Sequence, residues 1–261
     1  KWDEGVRPIP PGATLLSLAE ARGPYGCILA HNPTDLLVTE TLSGPRILVL
    51  HGTLEHRARQ EGRELAPEGF AAKVLEFVRR LGGIAVAISE LKARSWGIAD
   101  AILEPGIDPA DYGAATGAVA EGIRVANDVE AKRAALLWDF HRVAFDGLPV
   151  RLVGRNAGST PSRSWEELKG LLSERGFAVH TAVPALEDGY NLASLEAMAA
   201  GLPILGNRHP TSPVEHGVSG FLSDDPAELR GFAMRLLKDR DLALRMGRPA
   251  RERVAERFPG E

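Results

Sequence analysis

The sequence predicts an α/β protein built on two parallel sheets, each covered by helices. Three observations lead there. Short apolar runs alternate with amphipathic stretches along the whole chain. The runs are near-continuous rather than alternating, as strands buried on both faces are. A turn at Pro105-Gly-Ile-Asp-Pro109 separates four such runs from five, and 261 residues suit two domains of roughly 130. The pattern therefore divides into a reduced Rossmann-like domain over residues 1–108 and a complete one over 109–261.

The opening Lys1-Trp-Asp-Glu-Gly carries no strand pattern and no glycine-rich turn. Leu15–Ala21 then has helical apolar spacing, and Cys27–Ala30 and Arg46–Leu50 are strand-like. A helix is expected over Phe70–Arg80, with strands at Ile84–Ser89 and Ile102–Glu104. His31-Asn-Pro-Thr has the composition of a turn. Beyond the boundary, Ala110–Glu121 is weakly patterned and rich in Ala and Gly. Strands follow at Ile123–Ala126, Val150–Gly154, Phe177–Thr181, Pro203–Gly206 and Gly220–Ser223. Helices are expected at Val129–Ala144, Ser164–Arg175, Leu192–Ala200, Pro226–Lys238 and Asp241–Glu256.

Composition excludes several classes. A net charge of −4 does not suit a nucleic-acid binder, which needs clustered cations for phosphates. No apolar run approaches the ~18 residues of a membrane span. No signal-peptide pattern is visible, and Cys27 alone makes no intrachain disulfide, so the expectation is a cytoplasmic protein, at most peripheral to the inner membrane face. The cations Arg57, Arg59 and Arg63 are interrupted by Glu55, Glu61 and Glu64, which describes a solvated face. His51 and His56 lack the spacing of a helical two-histidine zinc site, and no metal is expected. No Gly-x-Ser-x-Gly, Walker or dinucleotide glycine motif is present.

The most informative stretch is Glu187-Asp-Gly-Tyr-Asn-Leu-Ala-Ser-Leu-Glu-Ala-Met-Ala-Ala-Gly-Leu-Pro203. Asn191 is a good N-cap, Leu192, Leu195 and Ala199 form a stripe for burial, and Gly201 with Pro203 ends the helix. A Gly-Tyr-Asn turn opening a helix presents backbone N–H groups at the positive end of the dipole, a site for an anion. Glu196, about one and a half turns in, suits a pair of vicinal hydroxyls. The bland alternative is a plain strand–helix–strand unit with a solvated Glu196.

The same stretch resembles the donor-site signature of the group-1 (family 4) retaining glycosyltransferases: an acid, seven residues, then Glu-Ala-Met-Ala-x-Gly-x-Pro. Here it is Asp188, seven residues, then Glu196 to Pro203. Thr211-Ser-Pro-Val-Glu-His-Gly-Val-Ser-Gly-Phe-Leu222 and Arg245-Met-Gly extend the likeness over residues 122–258. It is thinner earlier, at His31-Asn-Pro-Thr, Leu50-His-Gly-Thr53 and Glu104-Pro-Gly-Ile-Asp108. The resemblance implies the GT-B fold and transfer of a sugar, with retention, from a nucleoside-diphosphate-sugar to a hydroxyl acceptor (a saccharide, lipid-linked glycan or small molecule), without metal or other cofactor. It implies that Glu196 holds the ribose, that the backbone of Gly189, Tyr190, Asn191 and Leu192 faces the diphosphate or sugar, and that Asp188 stands where a carboxylate contacts the transferred sugar, with Glu187 beside it. Asn127, Lys132 and Arg133 match the family's Gly-Arg-x5-Lys element, whose cations offset leaving-group charge. His51 matches its histidine facing sugar and acceptor.

Three departures stand out: Ala126-Asn127 for Gly-Arg, Asp188 for Glu, and no N-terminal glycine loop. Lys132 or Arg133 must supply the missing cation, although both also suit a solvated helix start. Asp188 is shorter than Glu by a methylene, which favours a turn-supporting role and leaves Glu187 to point at the sugar. His180, Arg155, Asn156 and Arg208-His-Pro210 follow strands and have strand-end bonding as their commoner reason. The rival expectations are a GT-B nucleotide-sugar epimerase and a degenerate scaffold of the same fold.

Overall fold

The computed structural model describes residue 9 and residues 11–60, 67–98 and 101–260. The chain forms two compact units, one over Ile9–Glu104 and a second that begins at Pro105. The opening five residues and the positions Glu61, Arg63 and Glu64 lie outside the described residues.

In the first unit β1 (Ile28–Ala30), β2 (Arg46–Leu50) and β3 (Ile84–Ala87) form a parallel sheet in the order β1-β2-β3. The helices are α1 (Pro33–Val38), α2 (Leu54–Gln60), α3 (Pro67–Arg80) and α4 (Glu90–Trp96). Leu36, Leu48, Leu50, Val74, Val78 and Trp96 share its core. Three of these helices are absent from the sequence expectation, although their caps are written in it. Asn32 caps α1 with Pro33 in the first turn and Asp35 answering in a capping box. Thr53 Oγ1 accepts the His56 N–H at the start of α2. Ser89, expected to end a strand, caps α4 instead, and Gly97 closes it at φ 66°.

Two expected elements are corrected. Leu15–Ala21 is turn and extended chain: Leu15, Leu16 and Leu18 are exposed, so no apolar stripe is buried to hold a helix together. Ile102–Glu104 makes a single bridge to Ala87, and Pro105, without an N–H, ends the pairing.

The second unit opens with a 3-10 turn at Pro109–Asp111. It continues through β4 (Val119–Val125), α5 (Trp138–Phe145), β5 (Val150–Val153), α6 (Trp165–Glu174), β6 (Arg175–Val179), α7 (Leu192–Ala199), β7 (Ile204–Gly206), β8 (Gly220–Leu222), α8 (Pro226–Lys238) and α9 (Arg240–Arg257). All pairings are parallel and the order is β5-β4-β6-β7-β8. One sheet face packs Ile123, Ala178 and Ile204 against α6, α7 and α9; the other packs Phe177, Val179 and Leu205 against α5 and α8. β4 and β6 lie so close that a Cβ on Gly122 would fall 2.3 Å from the Phe177 ring. Arg251 of α9 ties the ends together, donating to the carbonyls of Pro109, Tyr112 and Ala199.

The long helix expected over Val129–Ala144 is corrected. Residues 129–137 are turns, and α5 begins only at Trp138 after Leu137 adopts φ 47°. The Leu136 carbonyl, which a continuous helix would use internally, accepts instead from Thr181 Oγ1 at 2.6 Å and from Arg124 Nη2 at 3.1 Å. Those tertiary bonds decide the local conformation.

Candidate functional site

In the second unit the strand order reverses at β4, with β5 on one side and β6 on the other. Ligands of open parallel sheets bind at the carboxyl ends of strands beside such a reversal. The residues there are Ala126 and Asn127 after β4, His180 and Thr181 after β6, and the Glu187–Asn191 turn that leads into α7.

This turn is built from both sides. His180 Nε2 donates to the Asp188 carbonyl at 3.2 Å, and His209 Nε2 donates to the Glu187 carbonyl at 3.1 Å. His209 Nδ1 in turn accepts the Thr211 N–H, and Thr211 Oγ1 accepts the Gly189 N–H at 2.8 Å. Carbonyls only accept, so both imidazoles carry their proton on Nε2. Burial pushes His180 down to about 4, against a smaller upward pull from its bond to Asp188, and burial also lowers His209. Both rings are therefore neutral at pH 7. Gly189 is required here by space: a Cβ would lie 2.7 Å from both His209 Nδ1 and Ser212 N.

Asn191 caps α7 as expected, accepting from the Ser194 N–H at 2.8 Å while Ser194 Oγ accepts the Asn191 N–H at 2.9 Å. Leu195 N–H closes onto the Asn191 carbonyl, so the Leu192 and Ala193 N–H groups are the outward donors of the first turn. Gly201 follows the helix at φ 84°. Leu192 itself is corrected: it is 43% exposed, because the first helical position turns away from the core that Leu195 and Ala199 enter. The Tyr190 ring packs 4.9 Å from Phe258 in the core.

The two neighbouring acids differ. Asp188 is 1% exposed, whereas Glu187 is half-buried. Glu196 is not the solvated side chain of the bland alternative: it is 3% exposed, because α7 is buried on nearly all sides from Ser194 onward.

The two cations offered for the Asn127 position separate. Arg133 is paired with Glu130 at 2.8 Å and with Asp139, which neutralises it. Lys132 is half-buried and forms no ion pair among the described residues. Asn127 follows β4 and accepts the Arg155 N–H at 2.7 Å, while Asn156 donates to the Ala126 carbonyl and accepts from Val129. These two amides hold the β4 and β5 ends together.

Sequence reasoning missed Arg124. It is 2% exposed on β4, donates to Thr181 Oγ1 at 2.9 Å, and lies 5.2 Å from the Trp138 ring centroid. Burial lowers it to about 9, still protonated at neutral pH. A lone Arg inside an otherwise apolar strand run is the signal that pointed to it.

In the first unit His51 ends β2, exposed, with Nε2 2.8 Å from His31 Nδ1 at the end of β1. His56 and Arg57 lie nearby on α2 around a hollow of about 150 Å³. Among the described residues no group of three or more His, Cys, Asp or Glu is arranged to hold a metal, and no helix is long and apolar enough to cross a membrane.

No family model matches the chain. Over 116 residues it is 39% identical to N-acetyl-alpha-D-glucosaminyl L-malate synthase of Bacillus anthracis, an alignment covering 43% of this chain and 27% of that protein. It superimposes on S. aureus TarM, solved as a mutant with fondaparinux, alpha-GlcNAc-glycerol and UDP, with a TM-score of 0.65 and 14% identity over 90% of this chain and 52% of TarM. Anabaena HepE, solved with UDP and glucose, gives 0.64 and 16% identity over 90% of this chain and 74% of HepE. The chain thus matches about a quarter of the curated relative's length and about half of TarM's. These likenesses, with parallel sheets of three and five strands, show the GT-B fold.

Proposed function

We propose that this chain is a retaining, metal-independent glycosyltransferase of the group-1 (family 4) kind, moving a sugar from a nucleoside-diphosphate-sugar to a hydroxyl acceptor. The observation that carries the reading is the Glu187–Asn191 turn. It sits at the strand-reversal end of a parallel sheet, braced by His180, His209 and Thr211, and opens α7 with its backbone donors outward. A diphosphate is the ligand such a positive helix end favours. The likeness to the synthase, and to TarM and HepE, both solved with UDP, supports the same direction.

On this reading the second unit binds the donor. The diphosphate rests on the outward Leu192 and Ala193 N–H groups at the start of α7, and Lys132 balances the charge that gathers on it as the sugar–phosphate bond breaks. Glu196 turns its carboxylate to the ribose hydroxyls. Asp188, buried, supports the turn, and the more exposed Glu187 reaches the transferred sugar. The C1–oxygen bond to the diphosphate breaks as the bond to the acceptor oxygen forms on the same face, and the acceptor's proton leaves on the diphosphate. The first unit serves the acceptor, with His51 contacting its hydroxyls.

Calorimetric titration with nucleoside diphosphates tests the donor site directly. Micromolar or tighter binding is expected, followed by acceptor-dependent release of nucleoside diphosphate from a donor sugar. Isomerisation without release would make the chain an epimerase, and binding without turnover a scaffold.

A further inference from the structure

The first unit carries a second histidine whose role nothing above assigns. His31 Nδ1 and His51 Nε2 lie 2.8 Å apart, and the two rings are nearly parallel, with centroids 5.1 Å apart at 25°. They end adjacent parallel strands, and each is held by its own backbone bracing. The His31 N–H donates to Asp35 Oδ2 at 3.0 Å, the same oxygen that accepts from the Asn32 backbone and side chain in the α1 capping box. On the other side, Trp96 Nε1 donates to the Gly52 carbonyl at 2.9 Å, and the Leu54 N–H donates to Ser95 Oγ at 2.7 Å. The loop after His51 is thereby fixed to α4. The two imidazoles are in this way brought to hydrogen-bonding distance by five separate bonds.

We propose that His31 is a positioning residue that holds His51 in the Nε2–H tautomer, so that His51 Nδ1 is a bare acceptor for a ligand hydroxyl. Two proton arrangements satisfy the contact. Either His51 Nε2–H donates to His31 Nδ1, or His31 Nδ1–H donates to His51 Nε2. The first puts the proton of both rings on Nε2, the tautomer that a neutral imidazole favours in water, and leaves His31 Nε2–H for solvent. The second requires the less stable tautomer twice. The choice matters because the partner of one ring nitrogen decides what the other can do. The contact uses His51 Nε2, and His51 Nδ1 makes no hydrogen bond among the described residues.

Partial burial of the ring and the groups around the pair keep His51 neutral. Burial lowers its pKa most, then His31, then Lys92 of α4. His56 and Arg57 of α2 line the same hollow, and Asp35 of α1 is engaged by the three donors named above. That the hydroxyl belongs to an acceptor or a transferred sugar rests on the transferase reading; the tautomer does not.

Nitrogen NMR of the intact 15N-labelled protein at neutral pH reads the tautomer without any ligand. His51 should show Nδ1 as an unprotonated nitrogen and Nε2 as a protonated one. In H31L the hydrogen bond is lost, so the two tautomers should interchange and average, and His51 should titrate at higher pH, part of the way to an ordinary histidine because burial remains. H31N keeps an oxygen near Nδ1 of the original ring and should restore the Nε2–H form. A proton found on Nδ1 of His51 in the wild type, or a His51 spectrum unchanged in H31L, overturns the proposal. UDP titration by calorimetry on the same samples tests the transferase reading separately. Its affinity should be equal in all three proteins, and a wild type that binds no nucleoside diphosphate counts against that reading alone.

Discussion

Substituting Gly189 by Ala separates the braced turn from its support with a single methyl. The added carbon would lie 2.7 Å from His209 Nδ1, 2.7 Å from Ser212 N and 2.8 Å from His209 Cγ. Ordinary contact needs about 3.4–4.0 Å, so the turn or the 209–212 segment must move by about 0.7 Å or more. Neither yields easily, since His209 is held at both ring nitrogens and Ser212 N donates to the His209 carbonyl. Overpacking of this kind costs about 1–3 kcal/mol. The shift also stretches the Gly189–Thr211 and Glu187–His209 bonds, each worth about 1 kcal/mol. A diphosphate bound to this turn would lose aligned donors, and about 1.4 kcal/mol is tenfold in affinity. G189A should therefore unfold at lower urea and bind nucleoside diphosphate at least about tenfold more weakly. Gly113→Ala is the control, because nothing lies within 4 Å of its added carbon, and it should change neither quantity. A folded G189A with wild-type affinity would refute the placement of the anion on this turn.

Glu196→Gln keeps the buried volume of a residue that Ala would hollow out, and should cost about 1.5–3 kcal/mol of nucleotide affinity if charged bonds to ribose are lost; calorimetry showing unchanged affinity removes Glu196 from the donor site. Nucleotide binding should persist in excess EDTA, because Lys132 and the α7 terminus supply the positive potential; loss that magnesium or manganese reverses would contradict this. The second unit should lose stability as pH falls from about 6.5 to 4. His180 is held down to about 4 by burial, so in that window the unfolded chain binds a proton that the folded one refuses, and the loss from this group levels off below pH 4. Its size is on the order of 3 kcal/mol, and His180→Gln should make the fall of the urea midpoint with pH shallower there. Asp188→Asn should be tolerated better than Glu196→Gln, whereas Glu187→Gln should slow transfer and spare nucleotide binding, as read from initial rates and calorimetry.

The fold was legible where one segment decides its own fate. The strands of the second unit are apolar on both sides because helices cover both sheet faces, so their runs stand out in the sequence. The short helices α1, α2 and α4 were not read because six or seven residues are too few to show a period. Their caps at Asn32, Thr53 and Ser89 were readable and were the better signal. Leu15–Ala21 shows the opposite error: the spacing is helical, but its leucines meet no core. The turns at 129–137 lie beyond local reading altogether, since Arg124 and Thr181, distant in sequence, claim the Leu136 carbonyl.

The same distinction orders the candidate site. Asn191 and Gly201 act through their own backbone neighbourhood, and their roles were visible as a cap and a stop. Arg133 and Lys132 are adjacent and chemically alike, yet the positions of Glu130 and Asp139 around a turn neutralise one and leave the other. That sorting bears on the missing cation after β4. Asn127 is engaged with Arg155 N–H and carries no charge, so on the transferase reading compensation falls to Lys132, with Arg124 as a buried positive charge that would act on a bound diphosphate only through its field. Arg124 is near enough to His180 to help hold that ring neutral, and a neutral His180 is what donates to the Asp188 carbonyl without adding a cation beside the turn. A substitution of Lys132 to Met should therefore lower turnover more than Arg133 to Met, in initial-rate measurements at saturating donor. Equal losses from the two would show that the Glu130 and Asp139 pairs do not survive in the working protein.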